Sequence, residues 1–293
     1  MSNSTAGLRR QISRAGDLQS VVRTMKSLAA SSIGQYEKSV QALADYARTV
    51  ELGLSACFRD GDPMITAAKA TRRPAAIAIG AVVFGSDQGL VGQFNDVVAD
   101  YAINTLAALP GKARAWAVGD RVHARLADAG VPLVGLFPVP GATSGITSLV
   151  GQVLVEAESL RDMTELYLVH NRPTSGSGYE PVSQRLLPLD ARWRDELARR
   201  PWPTKQVPEV MGAAASAVRA LIRDYLFVSL FRACAESLAS ENASRLAAMD
   251  RADKNINDLL ETLHGSLHRV RQRSIDEELF DVVSGFEALV GQR

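Results

Sequence analysis

The sequence predicts an α/β protein in which long N- and C-terminal helices pair as an antiparallel coiled coil and carry an inserted, mainly parallel α/β domain. All twelve prolines lie between Pro63 and Pro208, and because proline breaks helices, both flanks are free to be long helices. In the middle, short apolar runs alternate with helical patterns, which is typical of a parallel sheet covered by helices. We therefore expect a coiled-coil helix over 1–62, an α/β domain and linker over 63–208, and a second coiled-coil helix over 209–293.

Composition narrows the class of protein. The 293 residues are 46% hydrophobic and carry 33 Lys+Arg against 32 Asp+Glu, a net charge of +1. This excludes wholesale disorder and nucleic-acid binding by bulk phosphate neutralisation, which needs a basic excess. No stretch approaches the ~18 uncharged apolar residues of a membrane span, and the first residues lack the apolar core of a signal peptide. We expect a cytosolic protein whose two cysteines, Cys57 and Cys234, are reduced and buried.

Both flanks show the apolar spacing of a long helix that packs against another helix. In the first flank the mean step between apolar residues is about 3.6, close to the 3.5 of a coiled coil. These residues are Leu8, Ile12, Ala15, Leu18, Val22, Met25, Ala29, Ile33, Tyr36, Val40, Leu43, Ala47, Val50, Leu54 and Phe58. The last flank repeats the pattern from Met211 to Leu289, with a polar, small-residue interruption around 240–245. The two helices would be about 75 Å and about 120 Å long, more than a compact domain of this size needs.

The middle region alternates between strand-like and helical patterns. Apolar runs predict strands at 75–84, 113–118, 131–139 and 165–170, and helices are predicted at 91–108, 120–129 and 146–159. A turn at 175–178 leads into a last strand at 181–189, which we expect to be antiparallel to its neighbour. Residues 190–208 are interpreted as a linker to the second long helix. The alternation predicts a Rossmann-like domain with helices on the faces of its sheet.

The second long helix is longer than its partner, and its surplus is apolar. Two helices that pair antiparallel leave the domain in the same direction, so about 30 residues from Leu263 onward have no partner helix. Apolar side chains surround much of this end: Leu279, Phe280, Val282, Val283, Phe286, Leu289 and Val290. A charged collar precedes it: Arg269, Arg271, Arg273, Asp276, Glu277, Glu278 and Asp281. Because a helix that is apolar on most sides must be enclosed, we expect another protein to cover this end.

Three ordered segments resemble one protein family. Residues 8–30 (LRRQISRAGDLQSVVRTMKSLAA) resemble its opening segment, in which an ITKAM-type stretch places a methionine at Met25. Residues 85–95 (GSDQGLVGQFN) resemble its SDRGLCGGFN, and residues 237–255 and 271–285 resemble its SEQAARMAAM and RQASITQELTEIVSG. The family is the gamma subunit of F-type ATP synthases, the central rotor shaft, and the resemblance covers nearly the whole chain.

The resemblance implies a function in a rotary complex. It implies a central-stalk subunit that couples ion flow through a membrane ring to ATP synthesis or hydrolysis in a hexamer of alpha and beta subunits. The partners it implies are these alpha and beta subunits, the epsilon subunit and the membrane c-ring, at the cytoplasmic side of the bacterial inner membrane. It implies no catalysis by this chain, no cofactor, no metal, no nucleic acid and no direct nucleotide binding.

The resemblance also implies which residues contact the alpha/beta hexamer, and the sequence departs from the family in places. The implied contacts are Arg9, Arg10, Met25, Arg271, Gln272, Glu278 and Phe286. Gln88 and Gln93 replace an arginine and a glycine of the middle motif, while Asp276 and Glu277 replace a threonine and a glutamine. The opening segment looks more like gamma subunits of an alternate, divergent ATPase set that some bacteria carry beside the housekeeping enzyme.

Two function classes other than a rotor shaft also fit parts of the sequence. One is a doubly wound α/β enzyme with helical dimerisation arms, which needs convergent polar groups at the carboxyl ends of its strands. Its candidates are Asp87, Asn95, Asp120 and His170, which match no known catalytic arrangement. The other is a coiled-coil scaffold. Co-purification distinguishes the three, because only a rotor shaft brings ATPase subunits with it.

Two local motifs also have a chemical interpretation. The segment GSDQGLVGQF follows a predicted strand, as a phosphate-binding loop does, but it lacks the lysine and the glycine spacing of such loops, so we expect a structural turn. His264 and His268 are four residues apart on one helix face, which is the spacing of a metal pair. With no obvious third ligand, we expect solvated or packed histidines.

Overall fold

The computed structural model describes residues 4–59, 78–159, 163–174, 178–206 and 214–290, with no side-chain description for 214 and 285–290. They form two compact units. The helical unit comprises residues 1–28 and 246–293, and the α/β unit comprises residues 29–245. No helix among the described residues is both long and apolar enough to span a membrane.

Two long helices and a five-stranded sheet make up the fold. Helix α1 spans Thr5–Arg59, and the last helix, α6, spans Ala214–Val290 and has 77 residues. Between them lie β1 (Ala78–Phe84), α2 (Phe94–Ala108), β2 (Lys112–Val118), α3 (Asp120–Asp128), β3 (Leu133–Phe137), α4 (Thr143–Ser159), β4 (Glu165–Pro173), β5 (Tyr179–Leu187) and α5 (Ala191–Ala198). The predicted long helices and the alternating middle are confirmed.

The sheet has the strand order β3-β2-β1-β4-β5. Strands β1 to β4 pair in parallel, and β5 pairs antiparallel with β4, as predicted. Because side chains alternate along a strand, β1 serves two cores. Ile79, Ala81 and Val83 pack on one face against α2 and α3, while Val82 and Phe84 pack on the other against α4 and α6.

Two sequence-based expectations are corrected. Helix α2 begins at Phe94 rather than 91, because Leu90 and Gly92 have φ angles of 62° and 57° and keep the loop out of the helix. The region interpreted as a linker contains α5, whose first turn is capped by the Asp190 carboxylate accepting from the backbone nitrogen of Trp193. The polar residues at 240–245 interrupt the apolar pattern but not the helix, since α6 is continuous there.

Candidate functional site

The helical unit is held together by a narrow apolar contact between α1 and α6. Ala15, Val22, Met249 and Ile256 are buried in it, and Met25 packs against them half-buried. Ion pairs flank the contact, with Arg23 Nε 3.2 Å from Asp253 Oδ1 and Lys26 Nζ 2.5 Å from Asp250 Oδ1. The pairing is antiparallel, because the residue number falls on α6 as it rises on α1.

Two predicted contact positions in this unit are wrong, Leu18 on α1 and Leu259 on α6, which is 49% exposed. Leu18 is 55% exposed, although the apolar spacing assigned it to the contact. Its place is taken by Gln19, whose amide nitrogen donates to Asp253 Oδ1 at 3.1 Å and to Asn257 Oδ1 at 2.5 Å. Leu18 instead joins Val21 and Leu28 as exposed apolar residues of α1.

The far part of α6 is exposed and apolar, as the sequence predicts. Every described side chain from Arg271 to Ser284 is exposed. The exposed fractions reach 76% for Phe280, 70% for Val282 and 62% for Leu279. No described residue of the chain covers this stretch. Since monomeric proteins rarely leave a contiguous apolar surface in water, it is a candidate surface for another polypeptide.

The residues expected to contact partners are therefore mostly accessible. Arg9, Arg10, Arg271, Gln272 and Glu278 are all exposed. Met25 is half-buried against its own chain and presents only part of its side chain. The side chain of Phe286 lies outside the described residues.

In the α/β unit, the loop after β1 is held by its own hydrogen bonds. The Asp87 carboxylate accepts from the backbone nitrogens of Asp120 at 3.1 Å and Val139 at 2.9 Å. Buried Ser86 and Asn95 bond to each other, with the amide of Asn95 donating to Ser86 Oγ at 2.8 Å. These hydrogen bonds tie the side chains of Ser86 and Asp87 to neighbouring elements of the fold, as in a structural turn.

The same unit buries a set of polar residues on α6, some of which form the polar interruption of the apolar spacing at 240–245. They are Glu236, Ser237, Ser240, Glu241, Asn242 and Ser244. Buried polar groups are tolerated when they are hydrogen-bonded, and most of these have partners. His170 Nε2 is 2.9 Å from Glu236 Oε2 and Arg232 Nε is 2.7 Å from Glu236 Oε1. The Arg245 guanidinium lies 2.6 Å from Glu241 Oε1.

The two buried glutamates differ in pKa. Burial raises the pKa of Glu236, but the hydrogen bonds from His170 and Arg232 outweigh it, so the net shift is downward and the group stays ionised. Burial dominates at Glu241 and raises its pKa despite Arg245. Both predicted buried thiols, Cys57 and Cys234, are buried, and burial raises the pKa of Cys234.

A cleft of about 200 Å³ lies near the carboxyl ends of β1 and β3, where an enzyme of this fold would bind a ligand. Its charged lining residues are Asp87, Glu241 and Arg245. Asp87 is committed to backbone nitrogens and Glu241 to Arg245. The cleft is also smaller than the ~300–1,000 Å³ of typical small-molecule sites, so it does not favour the enzyme hypothesis.

Of the remaining candidate residues, Asp120 is exposed at the start of α3. His170 bonds to Glu236, and Asn95 bonds to Ser86. His264 and His268 are both exposed on α6. Within the described residues, no group of three or more His, Cys, Asp or Glu side chains could hold a metal ion.

Comparison with known proteins places the chain among ATP synthases. The family model described as ATP synthase matches residues 4–289. The ATP synthase gamma chain of Xylella fastidiosa strain 9a5c is 25% identical over 96% of this chain and 98% of that protein. The gamma chain of Cupriavidus pinatubonensis is 25% identical over 97% of this chain and 99% of that protein.

Solved structures share the fold. The rotor of the Euglena gracilis mitochondrial ATP synthase matches with a TM-score of 0.66 at 15% identity, over 92% of this chain and 98% of that one. The central stalk and c-ring structure of the Tetrahymena thermophila enzyme contains a chain that matches with a TM-score of 0.57 at 20% identity, over 79% and 99%. Because the family model spans nearly the whole sequence, this chain belongs to the ATP synthase family.

Proposed function

We propose that this chain is the central-stalk (gamma) subunit of a rotary ATP synthase. The observation that carries the proposal is an exposed apolar end of α6 in a chain related to gamma chains along its whole length. A protein that functioned alone would leave this surface in water at a cost. In a shaft whose end is enclosed by a sleeve of other subunits, the same surface is covered and is not left in water.

The physical task of such a subunit is to make chemically identical sites unequal. A long rod that turns inside the alpha/beta hexamer presents a different face to each catalytic site, so the sites differ in their affinity for nucleotide at any moment. Paired helices supply the stiffness that this needs. A non-directional apolar surface at the end supports slippage within the sleeve, because it has few fixed hydrogen bonds to break.

The partners follow from this role. The helical unit would contact the alpha and beta subunits through Arg9, Arg10, Met25 and the exposed stretch of α6 that includes Arg271, Gln272 and Glu278, with Phe286 beyond it. The α/β unit would join the epsilon subunit and the membrane c-ring. This arrangement makes the protein peripheral, at the cytoplasmic side of the bacterial inner membrane. The predicted division at 1–62, 63–208 and 209–293 stays part of the proposal.

We also propose that the chain catalyses no reaction itself. The support is chemical: Asp87, Asn95 and His170 are engaged in hydrogen bonds that hold the fold, and the loop after β1 lacks the lysine of a phosphate-binding loop. The nucleotides would be held by the alpha and beta subunits.

Purification of the native complex tests the proposal. The affinity-tagged full chain, isolated from its own cells without denaturation, is expected to bring ATPase subunits in fixed stoichiometry, identified by mass spectrometry. The chain alone is expected to show no ATP turnover. Isolation as a homodimer with no ATPase subunits, or ATP hydrolysis by the isolated chain, would contradict the assignment.

Two substitutions test the contact surfaces. Phe280→Glu places a charge on the exposed end of α6 and should weaken binding of the alpha and beta subunits without unfolding the chain. Val155→Glu is the control, because Val155 is a similarly exposed apolar residue on α4 of the other unit. Equal loss of the hexamer in both variants would argue against a specific sleeve at the end of α6.

Met25→Lys addresses the other helix. A charge at this half-buried position should impair ion pumping more than ATP hydrolysis, because it disturbs the contact between shaft and hexamer. Since Met25 also packs against the buried cluster between α1 and α6, the thermal stability of the isolated variant must be measured in parallel. Normal ion pumping by the variant complex would remove Met25 from the contact.

A further inference from the structure

One face of α6 in the α/β unit carries three polar residues at helical spacing. Glu236, Ser240 and Ser244 are four residues apart and therefore lie in one row along the helix, and all three are buried. We call this row the polar stripe. Apolar residues surround it on the same helix, including Phe231, Cys234 and Leu238.

Each member of the polar stripe bonds to a different residue of β4 or of the loop after β1. Glu236 bonds to His170 of β4 at 2.9 Å. Ser240 Oγ donates to the backbone oxygen of Asn171, also in β4, at 3.0 Å. Ser244 Oγ donates to the backbone oxygen of Val91, in the loop after β1, at 2.5 Å. Strands β1 and β4 are neighbours in the sheet, so the stripe spans two adjacent strands and their connections.

The sheet side of this contact is itself fixed. The amide of Asn171 donates to the backbone oxygen of Phe94, at the start of α2, at 3.0 Å. Asn171 is fully buried. The Ser240 bond therefore ends on a backbone group that is braced against a second element, and a force on α6 would reach α2 as well as β4.

Directional bonds differ from apolar packing in what they resist. Apolar contacts stabilise burial but are non-directional, so a helix can slide or turn over them at modest cost. Hydrogen bonds weaken steeply with misalignment, and buried polar residues are best known for fixing the register of packed helices. Three bonds along about two turns of one helix face therefore oppose both sliding and rotation of α6 against the sheet.

We propose that the polar stripe is the joint that prevents α6 from slipping on the α/β unit when torque is applied. This inference rests on the proposed rotor function. Glu236, Ser240 and Ser244 are positioning residues in it: they fix the register in which the α/β unit turns the helix. Without these bonds, resistance to slipping between α6 and the sheet would depend mainly on the shape of the apolar contact.

The chain offers a matched control for the test. Ser237 is on the same helix and equally buried, but its Oγ has no hydrogen-bond partner among the described residues. Ser237→Ala therefore removes the same atom as Ser240→Ala without removing a bond of the stripe. The double variant Ser240→Ala/Ser244→Ala removes two of the three bonds and leaves the ion pair of Glu236.

The experiment uses the complete complex in vesicles and measures the number of ions pumped for each ATP hydrolysed. The measurement is repeated while the ion gradient that opposes pumping is increased. Two lost hydrogen bonds should raise the frequency of slippage about 30-fold. The double variant is expected to pump normally at low gradient and to lose ions pumped per ATP at high gradient, while its ATP hydrolysis continues. Ser237→Ala should match the unmodified complex at every gradient. If the double variant does not assemble, Ser240→Ala alone is compared with Ser237→Ala.

Three results would overturn the proposal. One is normal coupling of the stripe variant at high gradient, and another is an equal loss in Ser237→Ala. The third is a loss of hydrolysis and pumping in proportion, independent of gradient, which indicates only a damaged fold. Failure of the rotor assignment is distinguishable, because then the unmodified chain would not assemble with ATPase subunits or support pumping at any gradient.

Discussion

Helix α6 has opposite character in the two units. From Glu236 to Ser244 it is buried and rich in polar residues, whereas from Leu279 to Val283 it is exposed and four of its five residues are apolar. Hydropathy alone predicts the reverse. Polar residues can be buried in the first region because most of them find partners in the fold. Apolar residues can be exposed in the second because a partner outside the chain is available to cover them.

Truncating a leucine side chain in each region should give the largest difference in the free energy of unfolding. Leu230 is fully buried between α6 and the sheet, and Leu230→Ala should lower the free energy of unfolding by about 2–5 kcal/mol. Leu279→Ala, on the exposed stretch, should change it by no more than about 0.5 kcal/mol. Urea denaturation followed by circular dichroism and tryptophan fluorescence measures both.

The order of the two effects should reverse when subunit association is measured instead of stability. In the assembled complex, Leu279→Ala should weaken subunit association although it leaves the isolated chain unchanged. A large loss of stability in the isolated Leu279→Ala chain would mean that its own polypeptide covers this residue, and the contrast between the two regions would disappear.

The sequence predicted the parts of the fold that depend on repetition. The spacing of apolar residues identified both long helices, and the alternation of strands and helices identified the sheet and its antiparallel last strand. The apolar spacing misplaced Leu18, because a step of three and a step of four both fit a helix. Asp253 and Asn257 on α6 bond to Gln19, and so Gln19 rather than Leu18 faces α6. Apolar spacing is too coarse to decide between adjacent positions.

The polar stripe was missed for a different reason. Ser240 and Ser244 look like an interruption because their partners, Asn171 and Val91, are remote in sequence. Their spacing of four residues was the available signal, since random polar residues would not follow a helical row. The exposed end of α6 was predicted, because its lack of a partner follows from the unequal lengths of the two helices.

The pH dependence of stability tests the buried polar region of α6, and the expected effect is of intermediate size. Bonds from His170 and Arg232 lower the pKa of Glu236 below its usual value of 4.5. A carboxylate with a depressed pKa stabilises the fold above its unfolded-state pKa, and this contribution is lost as the pH falls through the folded-state pKa. Glu236→Gln should therefore cost about 1–2 kcal/mol at neutral pH, and the difference from the unmodified chain should shrink below about pH 4.5.

Denaturation of both chains between pH 7 and pH 3 measures this difference. Glu180→Gln is the control, because Glu180 forms a half-exposed ion pair with Arg172 and such pairs contribute little. A difference between Glu236→Gln and the unmodified chain that stays constant over the whole range would show that the Glu236 charge is not what holds α6 to the sheet.

The smallest expected effect concerns Leu18, where the apolar spacing and the structure disagree. If Leu18 were packed between the helices, Leu18→Gln would lower the free energy of unfolding by about 2 kcal/mol or more, because apolar packing is lost and an amide is buried. Since Leu18 is 55% exposed, we expect a change within about 0.5 kcal/mol in thermal or urea denaturation of the isolated chain. A loss at the higher level would return Leu18 to the helix contact. A neutral result in the isolated chain, combined with weaker assembly of the complex, would instead make Leu18 part of the same externally covered surface as Phe280.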